Sequence, residues 1–400
     1  MEAPANPTSA ATVVERAVLL LASSLTVMAS AIISPALPKI AATFSDVPNI
    51  ELLSRLILTG PALMIAVSAS AVGALVDRYG RRPMLIGGMA LYAIAGTSGL
   101  YLSDIYSLLA GRLILGVAVA ACMTTAVTVV GDRFRGEART RFMGVQAAFM
   151  SAGGVLYVIG GGLLADFHWR GPFAVYGVAA LLAIVAFLGL RESKSAGTEE
   201  HAAGGKSPVA LIATLGALAL LSMIITYLIP TQLPFFLQRE LNVTATQVGL
   251  AIAAMTAAST AGSLLYPRIV ATVGRRGTLA LAFATPALGL AGLAFAQSYP
   301  VVVLATAVLG SGMGFVVPGT VTWVTEVAPA AYRGRVMGLL TMCFFLGQFL
   351  SPLVAAPLSG NGLSGVDGLF SRMAWLAAAL TIALLGWAGW SARRSPRVLG

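Results

Sequence analysis

Charge is what this sequence has least of. Only 10% of its 400 residues are Asp, Glu, Lys or Arg, and just 15 are acidic, whereas a soluble domain carries about 25% charged residues. That scarcity excludes an ordinary water-soluble fold. Cysteine and histidine number two each. Cys122 and Cys343 sit inside apolar stretches and His168 and His201 between them, with no ligand spacing, which excludes a metal centre and a disulfide framework. Ten-residue stretches of alternating polarity are missing too, which excludes a membrane β-barrel.

What fills the sequence instead is apolarity, at 58% hydrophobic residues and a mean hydropathy of +0.88. The apolar stretches run to about 20 residues, the length a helix needs to cross a bilayer core. An excess of ten positive charges invites a nucleic-acid reading. The basic residues, however, crowd into short loops between apolar segments, as the positive-inside rule predicts. Nucleic acid is therefore excluded, and the lipid bilayer is the partner.

The pattern predicts an all-α integral membrane protein with twelve spans. They lie near 16–38, 54–76, 84–102, 107–130, 142–165 and 172–190, then near 208–229, 247–268, 279–297, 301–322, 336–358 and 372–391. The first ends in a cleavage-like Ala29-Ser30-Ala31, but its apolar run continues to Leu37, so it reads as a permanent span. Residues 191–207 are polar and rich in Gly, Ser and Ala, the composition of a linker. The expected organisation is an N-terminal bundle (1–190), that linker (191–207) and a C-terminal bundle (208–400). With the N-terminus in the cytoplasm, 19 of the 25 basic residues fall on the cytoplasmic side. The protein is thus expected in a bacterial-type inner (plasma) membrane with both termini inside.

The two bundles repeat one another. Gly80-Arg81-Arg82 matches Gly274-Arg275-Arg276, Asp132 matches Glu326, and Arg139, Arg141, Met143 and Gly144 match Arg333, Arg335, Met337 and Gly338, all 194 residues apart. Leu37-Pro38 and Leu233-Pro234 match at 196. Two related six-span halves with a site between them is the architecture of alternating-access carriers.

The loop from Gly73 through Asp77, Arg78, Gly80, Arg81 and Arg82 to Pro83 resembles the signature between spans 2 and 3 of the major facilitator superfamily. Arg112 ahead of Gly116, Ser34-Pro-Ala-Leu-Pro38 and Trp169-Arg170 resemble the bacterial twelve-span drug:proton antiporters of that superfamily. In span 5, Gly153 and Gly161-Gly162 keep the antiporter spacing, while Tyr157-Val158 stands where that motif has Gly-Pro. The resemblance implies the major facilitator fold and proton-coupled efflux of small amphipathic or drug-like compounds. A facilitator or exporter of a defined metabolite, such as a sugar, organic anion or siderophore, is the alternative. It implies no cofactor beyond the proton gradient, and a single chain as the working unit. A membrane-embedded enzyme or sensor is disfavoured, because no span offers a nucleophile–base pair or a ligand cluster.

Site expectations follow. Asp77, at the end of span 2, opposes the negative end of its helix dipole and needs a positive partner. The resemblance implies that this partner is the N-terminus of span 11, in a latch joined by Asp132 and the loop arginines. Glu326 stands in the second half, but the position 194 beyond Asp77 is Ala271, so the latch is expected to be one-sided. Arg112, inside span 4, is expected to meet a substrate anion or take part in proton coupling, or else to reach the interface. Spans 1, 5, 7, 8 and 11 hold no interior acid, favouring neutral, amphipathic or anionic cargo over a dication. Cavity candidates are Ser30, Ser34, Gln146, Phe149, Tyr227, Phe345 and Gln348.

Overall fold

The computed structural model describes residues 13–190, 209–329, 332–358 and 366–394. Among these residues every regular element is helical. The expected linker at 191–207 lies outside them. In chain order the spanning helices are α1 (Val13–Thr43), α2 (Ile50–Tyr79), α3 (Arg81–Leu100), α4 (Ile105–Arg133), α5 (Gly136–Phe167), α6 (Gly171–Gly189), α7 (Val209–Glu240), α8 and α9 within Ala245–Ala294, α10 (Tyr299–Val327), α11 (Arg333–Leu358) and α12 (Gly368–Ala388). A helix of 50 residues would extend about 75 Å, more than twice a bilayer core. It is two spans, because Gly274 leaves helical geometry at φ 70° and ψ 174°.

Gly80, the matching residue between α2 and α3, has φ 93° and ψ 165°. That region is open almost only to glycine. The 194-residue repeat therefore reaches down to one backbone conformation. The Asp104 carboxylate accepts the Ser107 amide at 2.8 Å at the start of α4, and hydrogen bonds from Ser107 hold it below the usual carboxylate range. A pKa lowered in the folded state favours folding above the unfolded carboxylate's pKa, and that contribution fades as pH falls.

The buried side chains form two main cores. One runs from Val18 to Leu190 and takes in Phe235 and Ala245. The other runs from Leu215 to Leu384 and takes in Val158. Around both, large apolar side chains such as Ile94, Leu156, Leu264, Leu304 and Ile382 face outward, the belt that a lipid environment requires. Six helices before residue 190 and six after 209 thus form two bundles, packed against each other through α1, α2, α5, α7, α8 and α11.

Candidate functional site

Prolines shape the middle of the molecule. Pro61 inside α2 has no amide, so the Ile57 carbonyl four residues earlier has no helical donor. Arg112 Nε of α4 donates to it at 3.1 Å. In α1 the helix breaks after Ala31, and the Ala29 carbonyl accepts from Arg112 Nη2 and from the Tyr176 hydroxyl. The Arg112 guanidinium also sits 5.0 Å from the Tyr176 ring centre. Pro234 likewise deprives the Pro230 carbonyl in α7, and Ser34 Oγ of the other half donates to it at 2.6 Å.

These breaks border a cavity of about 300 Å³ between the halves, lined from α1, α2, α7, α8, α10 and α11. Its lining follows the repeat. Leu58, Pro61, Ala62 and Ile65 of α2 face Ile252, Met255, Thr256 and Ser259 of α8, each pair 194 apart. No lining residue is charged. The polar groups are Thr26, Ser30, Thr226, Tyr227, Thr256, Ser259 and Gln348. Tyr227 and Ser30 line the cavity from opposite halves. The Thr26 hydroxyl has no partner among the described residues. Pro35 and Pro230 offer no amide to the carbonyls of Ala31 and Thr226, which also line the space.

Of the sequence candidates, the structure brings Ser30, Tyr227, Phe345 and Gln348 to the cavity. Ser34 is fully buried in the contact with Pro230 beside it. Arg112 is fully buried behind the wall, neither lining the cavity nor reaching an interface. Gln146 of α5 donates to Ser23 Oγ at 2.5 Å, and Phe149 shares the outward face of α5 with the exposed Leu156 and Leu163. Tyr157, in the Gly-Pro place of the motif, hydrogen-bonds Ser24 at 2.8 Å. Sequence reading missed the α2 and α8 lining residues. Their signal was available in the repeat, as the only polar residues among them, Thr256 and Ser259, sit opposite Ala62 and Ile65.

At the face bearing the arginine loops, Arg81 is nearly buried and pairs with Asp132 at 3.2 Å and, more weakly, with Asp77 at 3.8 Å. Asp77 is 77% exposed, and its ion pair is made to this neighbour on its own side rather than to α11. Arg78 lies over Tyr79, and Arg82 donates to the Phe187 carbonyl at 2.5 Å. A side chain at Gly73 would meet nothing within 4 Å. In the second half Arg275 pairs with Glu326 at 2.5 Å, the repeat image of Arg81 and Asp132. That pair is half-exposed where its counterpart is enclosed.

The direct polar links between the halves gather on the opposite face. Glu51 of α2 pairs with Arg239 of α7, while Arg55 holds Glu51 at 3.1 Å and stacks over Phe235. Asp166, ending α5, accepts the Ala245 and Thr246 amides at 2.8 and 3.0 Å and the Thr246 hydroxyl at 2.5 Å. It thus caps the start of α8 in the other half. Lys39 steadies it from α1, 3.8 Å away.

A profile of the Major Facilitator Superfamily matches residues 19–352 and 214–399. The class G tetracycline resistance protein of Vibrio anguillarum is 27% identical over 91% of this chain and 94% of its own. The class C protein of Escherichia coli is 26% identical over 80% of this chain and 82% of its own. Among solved structures, a bacterial homologue of the lysosomal transporter Spinster, inward-facing and occupied, superposes with a TM-score of 0.71 at 19% identity, over 93% of this chain and 94% of that one. The nucleoside transporter NupG reaches 0.73 at 13% identity, over 93% and 99%.

Proposed function

The chain belongs to the Major Facilitator Superfamily, and from that premise we propose that it exports small, uncharged amphipathic compounds in exchange for protons, by rocking its halves about the central cavity. The observation that carries the cargo class is the lining, which is mostly apolar, offers hydroxyls, an amide and proline-freed carbonyls, and has no charged side chain. An ionised cargo would be stripped of water there without a counter-charge, at high cost. Among its relatives are tetracycline and multidrug resistance proteins, which supports the outward direction.

In this reading residues 1–190 and 208–400 are the moving bodies, tethered by 191–207, and one chain suffices. Both termini lie in the cytoplasm of a plasma-membrane-spanning protein, as the arginine distribution indicates. The structure is then the state closed outside by Glu51–Arg239 and Asp166, with the Asp77 latch released inside. Asp77, Asp132 and Glu326 stand on the inner face, where a proton can bias the gate without entering the cavity. Proteoliposomes loaded with neutral, cationic and anionic compounds test this. A pH gradient should drive flux of the neutral compounds, with little flux when it is collapsed. Flux independent of the gradient overturns proton coupling in favour of a facilitator, and preference for cations overturns the cargo class.

A further inference from the structure

A second, larger space of about 670 Å³ lies away from the cavity, in a groove between α1 and the first turns of α5. Arg16 and Arg141 stand on its rim with Glu137, and Leu20, Phe142 and Val145 line it. Phe134 stacks on Phe142 at 4.4 Å and carries the Arg16 guanidinium 5.9 Å from its ring centre. The neighbouring Arg133 is taken up by Glu15 at 3.1 Å. Arg16 and Arg141 have no ion pair among the described residues, which leaves two guanidiniums facing one open space.

The groove opens toward lipid rather than toward the cavity. At about 100° per residue, Ala138, Phe142 and Val145 lie within about 40° of the heading of Leu156 on α5. Leu156 is 68% exposed in the apolar belt. Gly154, which packs against the cavity residues Val27 and Thr256, points about 160° away. The polar rim sits at the arginine-loop end of both helices and the apolar strip continues into the bilayer depth, the layout of a headgroup above its acyl chains. Glu137 has a separate reason to be there, since an acid suits the first turn of a helix.

We propose that this groove binds an anionic glycerophospholipid of the leaflet on the arginine-loop side. Its phosphodiester lies between Arg16 and Arg141, and an acyl chain runs along Phe142, Val145 and Phe149. Guanidinium forks match phosphate oxygens in pairs, and basic pockets between membrane helices suit anionic headgroups. Glu137 subtracts from that attraction and tunes it down.

The test is native mass spectrometry of the full chain in neutral detergent, titrated with phosphatidylglycerol or with phosphatidylcholine of the same acyl length. Phosphatidylglycerol should bind at least roughly tenfold more tightly, and R16Q/R141Q should erase that preference while leaving phosphatidylcholine binding unchanged. E137Q should tighten phosphatidylglycerol binding about threefold, a gain that misfolding cannot imitate. R268Q, an exposed arginine outside the groove, should change nothing. Equal binding of the two lipids, an undiminished preference in R16Q/R141Q, or no gain in E137Q overturns the proposal. Full displacement of the lipid by millimolar inorganic phosphate overturns the lipid assignment.

Discussion

Arg112 shows how one residue can be charged, deep in a membrane protein and still not line its central cavity. It is fully buried, and its Nε and Nη2 donate to backbone carbonyls that Pro61 and the α1 break leave open, while Nη1 has no partner among the described residues. The repeat supports this reading. Thr306, 194 residues on, donates to the Ala251 carbonyl at 3.0 Å, the counterpart of Ile57. Arg112→Leu should therefore destabilise the folded protein by about 2–4 kcal/mol, since two buried carbonyls lose charge-assisted donors; thermal unfolding in detergent measures it. A loss of transport with unchanged stability would instead point to direct chemistry. In the cavity, Gln348 forms no hydrogen bond with the described residues. Gln348→Leu should then raise KM for hydrogen-bonding cargo roughly tenfold, in line with one lost polar contact, and barely alter flux of a purely apolar compound. Ser30, Tyr227, Phe345 and Gln348 were legible in the sequence because polar or aromatic residues stand out in an apolar helix. Phe149 was not placed by that signal, because an aromatic on a membrane helix faces lipid as readily as cargo.

At the scale of elements, α5 and α8 meet through missing side chains. A Cβ at Gly162 would stand 2.5 Å from the Ala245 carbonyl, and one at Gly249 2.6 Å from that of Val158. Small residues let membrane helices approach closely, and here they bring Asp166 onto the amides that open α8. Gly162→Val should force the helices apart on the face opposite the arginine loops. It should leave each bundle folded and shift the population toward the state open on that face, readable as increased labelling of a cysteine placed at Thr246. The turn glycines follow a different rule. Gly80→Ala should destabilise by about 1–3 kcal/mol, because φ 93° and ψ 165° suit almost no other residue. The span count was legible from hydropathy. The α8–α9 join falls between the apolar runs at 247–268 and 279–297, and the Gly80–Gly274 match marks the residue where helical geometry breaks.

Across the whole molecule the two faces treat their helix-ending acids differently. Asp77 ends α2 on one face and is exposed, and Asp166 ends α5 on the other and is engaged across the halves. In the proposed cycle each acid meets a partner in the other half only when its own face is closed, and the two would then set a two-state balance. Asp77→Asn should leave the melting temperature within about 2 °C, because an exposed ion pair contributes little, while abolishing transport. Asp166→Asn should lengthen the distance between spin labels at Asp46 and Glu240, measured by pulsed dipolar spectroscopy. An unchanged distance distribution would sink the gate role of Asp166.

By itself the sequence determined the solvent, the twelve spans and the internal repeat. Those follow from hydropathy and from matching residues at constant offset, which are local or translational patterns. The tertiary structure alone decided which helix faces meet, and with them the cavity wall, the enclosure of Arg112 and the joining of Asp166 to α8. Apolar periodicity is weak when both lipid and protein neighbours are apolar, so the sequence carries little record of which side of a helix looks inward.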